Sequence, residues 1–184
     1  MALETTSSSI VNRMMRAARL EVPLYEEVEA DLTATNQALL VVVIVAVASG
    51  IGSGIAGGSG GVVGRLIFGL VTALLGWAVW SYVVYFVGTR FFHGTATYGE
   101  LLRTLGFAES PSVLLIFSFI PVIGGILSLV VGIWTLVTSF IATRQALDID
   151  NTKTFFTILI GAVALLIVFA ILTALYAAVA VFIH

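Results

Sequence analysis

Apolar residues run in long blocks, and the polar residues are confined to the gaps between them. The blocks fall at about residues 38–55, 66–87, 112–123, 125–142 and 155–183. A bilayer's hydrocarbon core needs about 20 apolar residues of α-helix. The second and last blocks meet that length, and the first comes close. The pattern predicts an all-α, polytopic transmembrane bundle with five apolar segments at 37–184, preceded by a short amphipathic segment at 1–36.

The N-terminal segment has helical periods of its own. After a frayed start at residues 1–8, Ser9 caps a helix over Ile10–Leu20 with Ile10, Val11, Met14, Met15 and Ala18 on one side. Arg13, Arg16 and Arg19 fall on the other side, a basic face suited to an anionic membrane surface or to water. Pro23 opens a second short helix with Leu24, Tyr25, Val28 and Leu32 as its stripe. Its acidic face, Glu26, Glu27, Glu29 and Asp31, is expected to point into water or to meet Arg103 or Arg144.

The break between the second and fourth blocks organises the rest. Thr97 and Glu100 have capping-box spacing, so a helix starts at Tyr98, with Glu100 and Arg103 wet and Leu101, Leu102, Leu105 and Ala108 apolar. Ser110-Pro111 restarts the chain, and Pro121, Gly124 and Gly125 break it again. The run from Ser112 to Ile123 spans only about 18 Å at 1.5 Å per residue. If Pro121–Gly125 is a hairpin turn, seven of the eight bases share one side and only Arg65 lies opposite. A single crossing divides them five to three. The positive-inside rule therefore favours the hairpin, with a cytoplasmic N-terminus and an outside C-terminus; the expected location is the cell (inner) membrane.

Small residues recur at packing intervals. Gly50 and Gly54, Gly57 and Gly61, and Gly60 and Gly64 are spaced for close helix approach. A second stripe joins Gly124, Ser128, Gly132, Thr135 and Ser139, and a third joins Ala170, Ala174 and Ala178. Trp77 and Trp80 fall near the middle of the second block, away from the usual interfacial belt. With Trp134 they are candidates for contact with a lipid, quinone or pigment, although interhelix packing is the commoner role.

Composition agrees with this reading. Hydrophobic residues make up 60% and charged residues 10% of 184 residues, and no charge lies within an apolar block except Arg65 at the start of one. With no cysteine, disulfides, thiolate metal sites and cysteine nucleophiles are excluded. No basic block points to nucleic acid. Residues 1–38 contain no apolar signal core, so the first block is expected to act as an uncleaved anchor. Gly52-x-Gly54-x-x-Gly57 lacks the strand and acidic residue of a dinucleotide site. His93, Glu100 and Glu109 are too scattered for a metal corner, and Asp148-x-Asp150 lacks the later residues of a calcium loop. No cofactor, metal or catalytic residue is expected.

Several of these features resemble the Yip1 domain family, in its prokaryotic type with a short N-terminal region. The resemblance is carried by Thr97–Leu114, then Pro121, Gly124 and Gly125, then Gly132-Ile133-Trp134 and Thr143–Lys153. It covers roughly residues 20–184. It implies a non-enzymatic membrane-organising or adaptor protein, since eukaryotic members are associated with membrane traffic, Rab-type GTPases and membrane shaping. Expected partners are lipids and either membrane proteins or a second copy. The cytoplasmic interface would comprise Arg13, Arg16, Arg19, Glu26, Glu27, Glu100 and Arg103. One alternative is an accessory subunit of a larger membrane complex. The other is a small-molecule transporter, supported by the broken helix and its hydroxyl stripe but by no ionisable group within the spans.

Overall fold

Helices account for nearly all of the described residues in the computed structural model, which describes residues 9–56 and 62–183. In order they are α1 (Ile10–Ala18), α2 (Val22–Ala30), α3 (Ala34–Ala56), α4 (Val62–Phe92), α5 (Tyr98–Ala108), a 3₁₀ arm (Ser110–Phe117), α6 (Ile123–Leu147) and α7 (Asn151–Ile183). Residues 1–8, Gly57, Gly60, Gly61 and His184 lie outside the described residues. So do the surroundings of Gly54 and Ala178.

The fold is an all-α membrane bundle. Among the described residues four helices are long and apolar enough to cross a bilayer: Ala34–Ser53, Leu66–Phe92, Ile123–Leu147 and Asn151–Ala174. The expected fifth segment, 112–123, is divided between the 3₁₀ arm and a turn. Pro111, near the start of the arm, lacks the N–H that would continue α5. Eight 3₁₀ residues at about 2.0 Å each reach about 16 Å. This arm enters the bundle without forming a span of its own.

At its far end the chain reverses tightly. Ile123 N–H donates to Pro121 O at 2.8 Å around Val122, whose φ of 67° gives a γ-turn of the rarer, positive-φ kind. Gly124 N–H donates to Ile120 O at 2.7 Å. A Cβ on Gly124 would stand 2.0 Å from Ser118 O, so only glycine allows this return. Gly125, by contrast, faces open space.

Packing is concentrated at one end of the bundle. The core joins Ala17 of α1, Leu24, Tyr25 and Val28 of α2, the first half of α3, Leu101–Ala108 of α5 and Ala142–Leu147 of α6. Loops close at the same end: Thr95 N–H donates to Leu147 O, and its hydroxyl donates to Asp148 Oδ2 at 2.8 Å. We call this end the head. Away from it the helices become legs with exposed apolar sides, such as Phe68 and Leu75 on α4, Leu129 and Ile133 on α6, and Leu166 and Phe169 on α7. Only 11% of the α7 span is buried inside the protein, so lipid must solvate the rest.

Candidate functional site

The head is held together by two arginines that sequence reasoning places at the surface, Arg13 facing lipid headgroups or water and Arg103 facing water. Arg13 is 3% exposed. Its guanidinium donates to Glu27 Oε1 at 2.9 Å, Asp31 Oδ2 at 2.8 Å and Gln37 Oε1 at 3.0 Å, tying α1 to α2 and α3. Arg16 adds ion pairs to Glu21 at 3.1 Å and Glu27 at 2.5 Å, while Arg19 stays exposed. The basic face of α1 is thus largely turned inward onto α2. The Thr33 hydroxyl and Arg13 both donate to Asp31, and these bonds hold its carboxyl below the ordinary range.

Arg103 corrects a second expectation. At 4% exposure it is buried in α5, where Nε donates to Val28 O at 2.9 Å and Nη2 donates to Glu29 O. Both carbonyls lie in the last turn of α2, where no intrahelical donor remains. The expected meeting of Arg103 with the acidic face takes place through the backbone. Among the carboxylates, Glu27 and Asp31 instead meet Arg13 and Arg16. Arg144 bonds Gln145 and Asn151, and Gln145 reaches Glu26 at 3.1 Å.

α5 starts where its sequence marks it. Thr97 Oγ1 accepts from Glu100 N–H, and Glu100 Oε2 accepts from Thr97 N–H, completing the capping box. Glu100 then faces Glu26, Glu29 and Asp148 across a recess of about 230 Å³. Desolvation, reinforced by the charges of Glu100 and Asp148, pushes the Glu29 carboxyl up to about 7.

The tryptophans lie where head and legs meet. Trp77 Nε1 donates to Leu102 O at 3.1 Å, and Trp134 Nε1 donates to Ala18 O at 2.8 Å. Trp80 sits about 18 Å back from Phe92 along α4, because that helix continues past the apolar block into the head. At this level Trp80 packs against the buried core while remaining partly exposed.

Trp80 also lines a cavity of about 410 Å³ with Glu109, Ser112, Thr135, Ser139 and Ile158. A neighbouring space of about 220 Å³ lies between α3 and α4 and shares Trp80, Glu109 and Ser139. In the sequence Glu109 figures only with His93 and Glu100, as a group too scattered for a metal corner. The signal available was the burial of α5 that its apolar stripe implies.

A family model for the Yip1 domain matches residues 25–180, most of the chain. The protein belongs to the Yip1 domain family. No curated protein and no solved structure matches the chain. In this Yip1 domain the matched region takes in both the head and the legs, beginning within α2 and ending within α7.

The small-residue stripes of this Yip1 domain have unequal surroundings. Gly50 packs against Leu66 of α4, and Gly52 approaches the Leu115 carbonyl of the 3₁₀ arm so closely that a Cβ would stand 2.0 Å away. Gly132 has no neighbour where its Cβ would be, Ser128 bonds back to Gly124 O, and Ala170 and Ala174 are exposed. Within one copy Ala170 and Ala174 leave open surface, whereas Ser128 and Gly132 line the larger cavity.

Proposed function

We propose that this Yip1-domain protein is a non-enzymatic organiser of its membrane, with the head at the cytoplasmic face of the inner membrane and the C-terminus outside. The single observation that carries the reading is its one-sided packing. Three extra helices widen one end, while the other end offers four sparsely packed legs. A molecule with that profile crowds one face of the bilayer more than the other. Seven bases, Arg13, Arg16, Arg19, Arg90, Arg103, Arg144 and Lys153, belong to elements of the head, and Arg65 begins α4 at the opposite end. This distribution supports a cytoplasmic head. An adaptor role is compatible with the same surface, because α1 and α2 are stapled to the bundle and present Arg19, Glu26 and Glu100 on a rigid support.

Reconstitution tests the proposal. Purified protein is inserted into vesicles of uniform diameter at increasing protein-to-lipid ratio, and the vesicles are imaged in ice. Narrower vesicles or tubules are expected as the ratio rises. An unchanged size distribution at every ratio would refute the organising role.

A second reading is favoured by the exposed small-residue face of α7. Ala170 and Ala174 are suited to a neighbouring helix of another membrane protein, making the chain an accessory subunit. Extraction in mild detergent would then yield a stoichiometric membrane partner. Recovery of the chain alone or as a homo-oligomer would dismiss that reading.

A further inference from the structure

Glu109 has surroundings that call for a ligand. Burial against α4 and α6 pushes its carboxyl up. Its hydrogen bond from Ser112 is long, at 3.5 Å, and Ser112 Oγ also lies 3.0 Å from Thr135 Oγ1. Among the described residues no arginine, lysine or histidine pairs with it, and none lines either cavity. A half-buried carboxylate with one long hydrogen bond and no cation beside it is costly unless a cation or proton joins it.

The space around it has the form of a lipid site. At about 410 Å³ the larger cavity falls in the range of small-ligand pockets. Glu109 and Trp80 stand at the head–leg boundary. From Ser139 the cavity follows α6 through Thr135 and Gly132 to Ser128, about 16 Å along the helix. Leu136 and Ile158 line it toward the exposed side of the legs. One end offers acceptors and the other an apolar channel.

We propose that this cavity binds a membrane amphiphile bearing a primary ammonium head, with the ammonium on Glu109 and a chain lying along the Gly132–Ser128 side of α6. Three N–H donors suit the carboxylate and the hydroxyl oxygens of Ser112 and Ser139. A quaternary head cannot donate such bonds, and an anionic head finds no base. Phosphatidylethanolamine and a single-chain alkylamine both carry this chemistry.

Native mass spectrometry of the purified full chain in neutral detergent tests it. Equal amounts of phosphatidylethanolamine, phosphatidylcholine and phosphatidylglycerol are offered. The ethanolamine lipid should be retained about tenfold over the others, the weight of roughly one charge-assisted hydrogen bond. Glu109→Gln should remove that preference. Gly132→Leu should block the channel while keeping or raising the melting temperature, because a side chain there enters open space. It decides the matter even if Glu109→Gln fails to fold. Dodecylamine should displace the bound lipid and dodecanol should not. Binding of dodecylamine without phosphatidylethanolamine would support the ammonium site and name the single-chain source. Equal retention of all three lipids without dodecylamine binding, or unchanged retention in both variants, would overturn the proposal.

Discussion

Removing Arg103 should release the N-terminal part of the head while leaving the legs in place. In Arg103→Ala the carbonyls of Val28 and Glu29 lose their donors in a region closed to water. Each buried acceptor left without a partner costs about 1–3 kcal/mol. Truncating a buried stem adds a cavity term of similar size. Relief of the buried charge's desolvation offsets part of this, leaving a net loss of about 3–5 kcal/mol. For a chain of this length that is a fall of about 10 °C in melting temperature. Intrinsic fluorescence can follow it, because Trp134 bonds Ala18 and Trp77 bonds Leu102. Hydrogen exchange supplies the spatial readout: amides of α1 and α2 should exchange faster, and those of α7 should not change. Arg103→Lys should recover only part of the loss, since an ammonium cannot reproduce the guanidinium fork. A fall below about 2 °C with unchanged exchange in α2 would refute the staple.

Other consequences are more local. The Glu29 carboxyl binds its proton more tightly folded than unfolded, so its stabilising contribution is complete below the ordinary value of 4.5 and is lost as pH rises through about 7. Allowing for its partial exposure, thermal scans should show a loss of about 1 kcal/mol between pH 5 and 8 that Glu29→Gln abolishes. Gly124→Ala should cost about 2–4 kcal/mol by driving a Cβ into Ser118 O, while Gly125→Ala, facing open space, should be neutral or stabilising in chemical unfolding. Val122→Gly should stabilise by about 1 kcal/mol, because Val122 holds a positive φ and is exposed. Cysteines introduced at Ser59 and Asn151 of this cysteine-free chain should react with impermeant reagents from opposite sides of the membrane; labelling from one side would overturn the threading.

What the sequence made legible was whatever depends on local chemistry or on the solvent. Block hydrophobicity identifies the membrane bundle, because no other environment accommodates faces like that of Leu166 and Phe169. Thr97 and Glu100 mark the start of α5 because a capping box is a contact within four residues. The fate of Arg13, Arg103 and Glu109 was not legible. Each has a polar neighbour on one side, Asn12, Thr104 or Ser110, and so has the local pattern of a surface charge. Its surroundings depend on residues as distant as Val28 for Arg103 and Thr135 for the Ser112 that bonds Glu109. The contacts of Trp77 with Leu102 and of Trp134 with Ala18 were not legible for a related reason, since each joins residues 25 or more positions apart.

The burial of these charges explains how two solvents can serve one small chain. In lipid the legs gain little hydrophobic free energy from packing on each other, so close contacts such as Gly52 on Leu115 must come from shape alone. In the head, Leu24, Tyr25, Leu101 and Phe107 are fully enclosed, and with the head at the aqueous face, as proposed above, water drives that burial. The head therefore sets the relative positions of the helices, and the legs inherit them. Substitutions along the lipid-facing side of α7 beyond Gly161 should matter little to folding. Equivalent changes at Leu101 or Phe107 should separate the legs, and with them the walls around Glu109. The cavity lies at the seam because that is the lowest level at which the head still fixes the helices, and the first at which it no longer fills the space between them.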